Sequence, residues 1–461
     1  MITHDAKAGT GGLDGSIWFE TTRPENNARA FNNTFGFFSN LYSAKASAAD
    51  LLAMSVIVSH GACGGTTKIP FRYGRIDAPE AGPFGVPEAS TPLKTTLDRF
   101  KQAGYSREEM ILLVSCGHTL GGVHSIDFPE ISKGDTNPYN DTVTHFDSSP
   151  HEFDNRIASE YTKGTTTNPL VIGANDTLNS DKRIFASDGN RTMKAMARKP
   201  SEFEAKCARV FSRMIDTVPG SVRLSSPIEA IDIKPYITEL YLNDEGSISF
   251  IGRVRVRTTK GAKAGRDPSD LAVQLNYSNR RGKGNTVIET RKAGESAGLY
   301  GETFAWFQFG TTIDAAMGIS KFNIQLTVPS RQKKVKYTNG GRGYPVDDSL
   351  IYQKKESCVS RTSVNGKRPM SVTAAVRQEK ASNALEVQVV RLERRQGTLV
   401  RGLDRETIMF EATGEETNGY VFFKAPVELS TSAWSTTFDI VQRGKGGSKI
   451  EFIRTEACPR V

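Results

Sequence analysis

No run of apolar residues in this 461-residue chain is long enough to read as a transmembrane helix. Its five cysteines, Cys63, Cys116, Cys207, Cys358 and Cys458, include no Cys-x-x-Cys spacing, which argues against a structural zinc site. Cys358 and Cys458 both fall in the C-terminal half and could bridge, and the odd count leaves at least one thiol without a partner in the chain. Three tryptophans, Trp18, Trp306 and Trp434, offer no reading beyond core or interface. Helix-turn-helix, zinc-finger and RNA-binding signatures are missing, so the net charge of +9 points to solvated surface charge rather than a nucleic-acid partner. The basic residues are dispersed except in Arg331-Gln-Lys-Lys-Val-Lys336 and Arg391-Leu-Glu-Arg-Arg395. Met1-Ile-Thr-His-Asp-Ala-Lys7 has no basic start, apolar centre or cleavage site and does not read as a signal peptide. Asn-x-Ser/Thr sequons at Asn32, Asn140, Asn175, Asn190 and Asn276 nevertheless lean toward a secreted glycoprotein.

What is present divides the chain. Residues 1–217 carry helical patterns among glycine-rich loops. Helices are expected over Ala46–His60, Leu93–Ala103 and Glu109–Ser115, with Gly104 as a break. Ser201–Ile215 is amphipathic, with Phe203, Cys207, Val210, Phe211 and Met214 on one face. After Pro219 the period changes to two. Tyr236–Leu242, Ser247–Thr258 and Lys321–Val328 read as strands, as do Val372–Val376, Ala384–Val390, Thr436–Val441 and Lys449–Ile453. The expectation is a multidomain protein in which a mainly α-helical domain precedes an all-β region. That region divides into two β-sandwich-like units of similar rhythm, 218–330 and 368–461, joined by a polar linker at 331–367.

Four motifs carry the chemistry: Gly11-Gly-Leu-Asp-Gly-Ser16; Cys63-Gly-Gly through Gly74-Arg-Ile-Asp-Ala78; Gly117-His-Thr-Leu-Gly-Gly-Val-His124; and Phe146-Asp-Ser-Ser-Pro-His-Glu-Phe-Asp-Asn155. The third ends a short helix that starts near Ser106 and places His118 where a rigid backbone can offer it to a metal or a haem iron. In order and spacing, the four resemble those of the secreted fungal haem peroxidases of the plant-type superfamily. The resemblance covers nearly half of the chain.

That resemblance implies haem b held by His118 as proximal iron ligand. Asp188 would accept a hydrogen bond from the other ring nitrogen, or would simply cap the helix that follows. Phe146 would pack beside the haem. Two Ca2+ ions are implied. The proximal one falls to Thr119, Asp147, Ser149, Asp154 and the backbone carbonyl of Glu152, a loop that could equally be an ordinary Asx/Ser turn. The distal one falls to the Gly12 carbonyl, Asp14 and Ser16, a set left incomplete because the aspartate that follows the family's distal histidine is not found. Glu20 and Asn26 resemble the pair that orients that histidine. Arg75 and Asp77 read as a salt-bridge pair or as propionate contacts. His60, His124, His145 and His151 read as structural or solvated.

The family's distal Arg-x-x-Phe-His-Asp, the source of its acid-base histidine and of the arginine that steadies the departing oxygen, is expected ahead of Met1, as though the chain were truncated there. His4-Asp5 is a weak substitute because no arginine precedes it. The resemblance implies a secreted, monomeric peroxidase that uses hydrogen peroxide to oxidise small phenolic donors. The family's surface radical tryptophan is replaced by Leu113, and its manganese-binding acid by Gly117. The alternative is a non-catalytic remnant of the same fold that attaches to cell wall or glycan, with polysaccharide bound by the β units.

Overall fold

In a computed structural model the structure describes residues 1–26, 29–39, 41–260, 266–393, 395–396, 398, 401–430 and 436–459. Trp434 lies outside the described residues. The chain forms two compact units, residues 1–229 with 394–401, and residues 230–393 with 402–461.

The first unit is helical: α1 (Arg29–Phe38), α2 (Ala48–Ala62), α3 (Leu93–Gln102), α4 (Arg107–Gly117), α5 (Arg156–Lys163), α6 (Pro169–Ile172), α7 (Ser180–Ala186), α8 (Arg191–Arg198) and α9 (Pro200–Ile215). Several starts have a local cause. Ser47 caps α2 through Asp50 N, and Ser106 and Glu109 form a reciprocal capping box on α4. Pro200 opens α9, where a missing N–H costs nothing. Gly104 separates α3 from α4 at φ +87°, a conformation that favours glycine. α4 buries Met110, Ile111, Leu112 and Leu113, so its C-terminal end is fixed by packing. On α9 the expected face is buried except that Ile215 takes the interior place expected of Met214. Between α4 and α5 runs a two-stranded ribbon, β1 (Gly122–His124) with β2 (Val143–His145).

This unit extends past residue 217 because the following segment pairs by backbone with it. Gly220 N donates to Gly9 O, Ser225 N to Tyr73 O, and Ile228 N to Phe71 O.

The named strands of the second unit pair antiparallel, with one isolated parallel bridge between Val359 and Ala457 among the described residues. Its strands are β3 (Ile233–Leu242), β4 (Ile248–Arg257), β5 (Ala272–Ser278), β6 (Thr286–Glu289), β7 (Arg291–Ala297), β8 (Thr303–Ile313), β9 (Lys321–Val328), β10 (Lys333–Tyr337) and β11 (Tyr344–Pro345). They continue with β12 (Leu350–Tyr352), β13 (Lys367–Arg377), β14 (Leu385–Glu393), β15 (Gly402–Met409), β16 (Glu411–Thr417), β17 (Tyr420–Ser430), β18 (Thr437–Gln442) and β19 (Lys449–Arg454). The sheet orders are β3-β4-β8-β7 and β10-β9-β5-β6, then β12-β13-β17-β16 and β15-β14-β18-β19. Adding nine to each label of the first two sheets reproduces the second two.

The stretch expected to be a linker, 331–367, instead holds three strands. β10 and β11 pair with β9, and β12 pairs with β13. Its Gly and Asn residues sit outside these short edge strands, and lysines alternate with apolar residues on β10 over too few positions to show the strand period. One core gathers Phe250, Phe307, Phe322 and Ile324, and a second gathers Val372, Val387, Phe438 and Ile440. Tyr420, Ile351 and Ala375 belong to the first core although their strands belong to the second set. At that junction Arg280 binds the Asp348 carboxylate at 2.9 Å, and the Tyr420 hydroxyl donates to the Asp348 carbonyl at 2.7 Å. Disulfides join Cys116 to Cys207 and Cys358 to Cys458, leaving Cys63 as the free thiol.

Candidate functional site

α4 ends at His118, whose N–H donates to Val114 O at 2.9 Å as the helix C-cap. The imidazole stands on a cavity of about 630 Å³. Phe100, Val114, Leu170 and Ile184 line it, as do Ile2, Asn26 and Phe31. The lining is mainly apolar but also carries Glu25, Glu88, Asp127, Glu130 and Asp181, and a cavity of this size is the form taken by cofactor and small-molecule sites. Phe146 stacks on the His118 ring, with centroids 4.2 Å apart and planes 10° from parallel.

His118 Nδ1 is 2.7 Å from Asp181 Oδ2. The same carboxylate oxygen accepts from Asn168 Nδ2 at 2.8 Å, while Asp181 Oδ1 is buried with no hydrogen-bond partner. Burial works against a charged imidazole, yet the Asp181 charge and hydrogen bond carry the His118 pKa above the ordinary histidine value. The pair fixes Nδ1 as the nitrogen facing Asp181. Nε2 is the ring nitrogen not engaged by Asp181.

Asp188 does not make this contact. Its carboxylate accepts from the N–H groups of Arg191 and Thr192, at 2.9 and 3.0 Å, and from the Thr192 hydroxyl at 2.6 Å. It closes the first turn of α8, the alternative already open in the sequence. Asp181 and Asp188 are seven residues apart, two helical turns. Periodicity therefore gives both the same face, and only the end of α7 at Ala186 separates their roles.

The expected proximal calcium loop gathers next to His118. Thr119 is fully buried, and its hydroxyl donates to the Asp154 carbonyl at 2.7 Å. Ser149 Oγ donates to Asp154 Oδ2 at 2.9 Å, and Ser149 N to Asp147 Oδ1 at 2.9 Å. Asp147 Oδ2 is buried without a partner, and burial foremost, with Asp154 and Glu160 nearby, pushes the Asp147 carboxyl up to about 6. The Glu152 side chain is exposed. Among the described residues no three His, Cys, Asp or Glu groups converge as a metal site. This loop offers two carboxylates, with hydroxyl and carbonyl oxygens making up the rest.

At the expected distal loop, Gly12 has φ +122°, and a Cβ there would stand 2.7 Å from Thr217 O. Asp14 Oδ1 accepts from Ser16 N at 3.1 Å. Glu20 and Asn26 are both buried, 3.4 Å apart through Asn26 Nδ2, and Glu20 Oε1 accepts from Gly82 N at 2.7 Å.

Arg75 and Asp77 are structural. Arg75 pairs with Asp50 at 2.8 Å and Asp216 at 3.3 Å, and Asp77 caps α2 through Ala48 N and Ala49 N. Neither lines the cavity. His4 is nearly buried and its Nδ1 lies 3.0 Å from Gly11 O, away from the lining as well. His124, read from sequence as structural or solvated, does line the cavity and holds Asp141 at 2.8 Å. Its strand, three residues long, gives no periodicity to read. Among the described lining residues the histidines are His118 and His124, and none is an arginine.

Residues 1–200 match a family profile described as peroxidase. The chain is 34% identical over 381 residues to a WSC domain-containing protein of Arthroderma benhamiae, an alignment covering 81% of this chain and 51% of that protein. This match is too long for the helical unit alone, so the β region is shared too. The chain is 29% identical over 205 residues to the peroxisomal L-ascorbate peroxidase 5 of Arabidopsis thaliana, covering 42% of this chain and 68% of the relative. It is 30% identical over 163 residues to a versatile peroxidase of Pleurotus eryngii, covering 34% of this chain and 41% of the relative. The chain thus spans about half the length of the first of these relatives.

Proposed function

Residues 1–200 form a domain of the plant, fungal and bacterial peroxidase family, and from that premise we propose that it holds haem b on His118 and serves peroxide-dependent oxidation of small phenolic donors. The observation that carries the reading is the His118–Asp181–Asn168 chain set at the wall of an apolar cavity with Phe146 stacked on the imidazole. Haem, when bound, supplies the iron that takes electrons from donors and passes them to peroxide. The chain's own part is to hold an imidazole in one tautomer, press it flat against Phe146, and keep water from the apolar wall. Asp181 lends the ring anionic character through Nδ1.

A second reading, a haem-binding protein without turnover whose β unit attaches to cell wall or glycan, is favoured by one observation. The described lining offers no arginine, and its second histidine is tied to Asp141. Haem titration followed by peroxide separates the two. The first reading expects a Soret band that shifts on peroxide and returns with a phenol. A band indifferent to peroxide leaves the second reading, and no band sinks both.

We further propose Ca2+ in the loop of Asp147, Ser149 and Asp154 beside Thr119, with the Glu152 carbonyl, because Asp147 Oδ2 is a buried oxygen in search of a positive partner. Chelation is expected to lower the melting temperature of the helical unit. A Ca2+ concentration about a hundred times Kd should restore roughly 2.7 kcal/mol. Asp147→Ala should remove the response, and a chelator-insensitive wild type would refute the site. Gly12, Asp14 and Ser16 are proposed as part of a second, incomplete site, to be counted by Ca2+ stoichiometry.

Two disulfides support an oxidising, secreted setting, testable by secretion of the chain from a fungal host. No helix among the described residues is long and apolar enough to cross a membrane. We read the two sheet pairs of the second unit as copies of one immunoglobulin-like β-sandwich, since each has the same strand order. Separate expression of residues 230–348 as a folded piece would test it.

A further inference from the structure

The outer face of the β10-β9-β5-β6 sheet differs from its counterpart in a way that points to a ligand. Phe322, Ile324 and Leu326 of β9, with Val273 and Leu275 of β5, turn inward to the core. Alternation then turns Asn323, Gln325 and Thr327 of β9 outward, together with Gln274 and Asn276 of β5. On the edge strand β10, Val335 and Tyr337 stand opposite the core residues Leu326 and Ile324, so Lys334 and Lys336 share the outward face, opposite Thr327 and Gln325. The face is a grid of amides with lysines along its β10 edge and the carboxylate of Glu289 on its β6 edge. Gln325 Nε2 donates to Gln274 Oε1 at 3.1 Å, and Gln274 Nε2 to Glu289 Oε1 at 2.7 Å, so the amides are already oriented in one row.

Lys334 and Lys336 are exposed, and among the described residues neither is ion-paired with a carboxylate. The counterpart sheet, β15-β14-β18-β19, is an internal control. There Lys449 of β19 is bound by Asp439 and Glu451, each at 2.9 Å, and Glu386 of β14 pairs with Arg443. Lys449, on its edge strand, thus has two carboxylate partners, whereas Lys334 and Lys336 on the corresponding edge strand have none among the described residues.

We propose that this outer face binds an acidic polysaccharide, with uronate carboxylates on Lys334 and Lys336 and sugar hydroxyls on the amides of Gln325, Gln274, Asn323 and Asn276. Amides serve as both donor and acceptor, which suits hydroxyl-rich rings. Nucleic acid is disfavoured because single-strand readers interleave basic residues with stacking aromatics. No aromatic residue stands among the outward positions of β10, β9 and β5 named above. The proposal deepens the glycan-binding part of the second reading and is independent of haem.

The test uses the full chain made in a host that attaches no N-linked sugar, so that the sequon amide of Asn276 stays bare on this face. Retention is measured on immobilised polygalacturonate, on a neutral β-glucan, on duplex DNA and on anionic vesicles. Selective retention on polygalacturonate is expected, weakening about tenfold or more in Lys334→Glu/Lys336→Glu and also in Gln325→Ala. Lys292→Glu, on the opposite sheet, should leave it unchanged, and circular dichroism checks that each variant folds. The proposal falls if polygalacturonate is not retained, if DNA or vesicles bind as well as it does, or if the charge swap changes nothing. None of these outcomes alters the Soret band, so the haem reading is judged separately.

Discussion

His118→Ala is expected to weaken haem uptake by at least about a hundredfold and to abolish the Soret band at stoichiometric haem. The cavity wall stays intact in this variant, because α4 is held by its capping box and by Met110, Ile111 and Leu112 rather than by the imidazole. Free imidazole should enter the vacated space against Phe146 and restore part of the band. That rescue separates loss of a ligand from loss of the fold. Asp181→Asn keeps the volume and leaves an amide facing His118 Nδ1 and Asn168 Nδ2. It should lower affinity by about tenfold to a hundredfold and raise the iron reduction potential, since the ring loses its anionic partner. Asp188→Ala should do neither. It should cost about 1–2 kcal/mol of stability, the usual loss at a helix cap, with the spectrum unchanged. A His118→Ala protein with the wild-type band, or a potential that moves in Asp188→Ala and not in Asp181→Asn, would overturn the assignment.

The contrast between those two aspartates shows what the sequence could and could not reveal. Positions with a strong local signal were readable. Ser47 and Ser106 mark helix starts, Gly104 marks a break, and the apolar spacing from Phe203 to Phe211 marks a buried face. The loop from Asp147 to Asp154 was readable for the same reason, since its oxygens come from one short segment. Asp181 was not, because the pairing spans 63 residues and two aspartates share one helical phase. Its identity depends on where α7 stops, and helix ends are set by tertiary packing as much as by sequence.

In the β unit the long strands β4, β9 and β14 alternate clearly, while β10 to β12 are short and surrounded by glycine and lysine, so they resembled a linker. The strand order common to the two sheet pairs is a property of pairing and not of composition, so similar rhythm alone does not specify it. His124 reads as structural or solvated in the sequence because its contact with Asp141 and its place on the cavity depend on residues distant from it in the chain.

Removing the Cys116–Cys207 bridge should produce the largest stability change in the helical unit. The bridge spans a sequence separation of 91 residues, which in a chain-entropy account corresponds to roughly 4–5 kcal/mol, and removal of native bridges typically costs about 2–5 kcal/mol. Both cysteines are buried, so Cys116→Ala/Cys207→Ala also loses packing between α4 and α9. For a unit of this size that amounts to a fall in melting temperature of about 10 °C. The location gives the change a functional readout. Cys116 lies in the last turn of α4, two residues before His118, so the bridge holds the backbone that presents the imidazole to the cavity. Haem loss should therefore track the lowered transition in this double variant. Cys358→Ala/Cys458→Ala should instead lower only the transition of the β unit and leave the Soret band in place, because that bridge lies wholly within residues 230–461. Cys63→Ser should do neither, since Cys63 is the free thiol. Calorimetry with parallel Soret melting distinguishes these outcomes. An unchanged Soret-tracked melt in Cys116→Ala/Cys207→Ala would mean that α4 is held at His118 by side-chain packing alone.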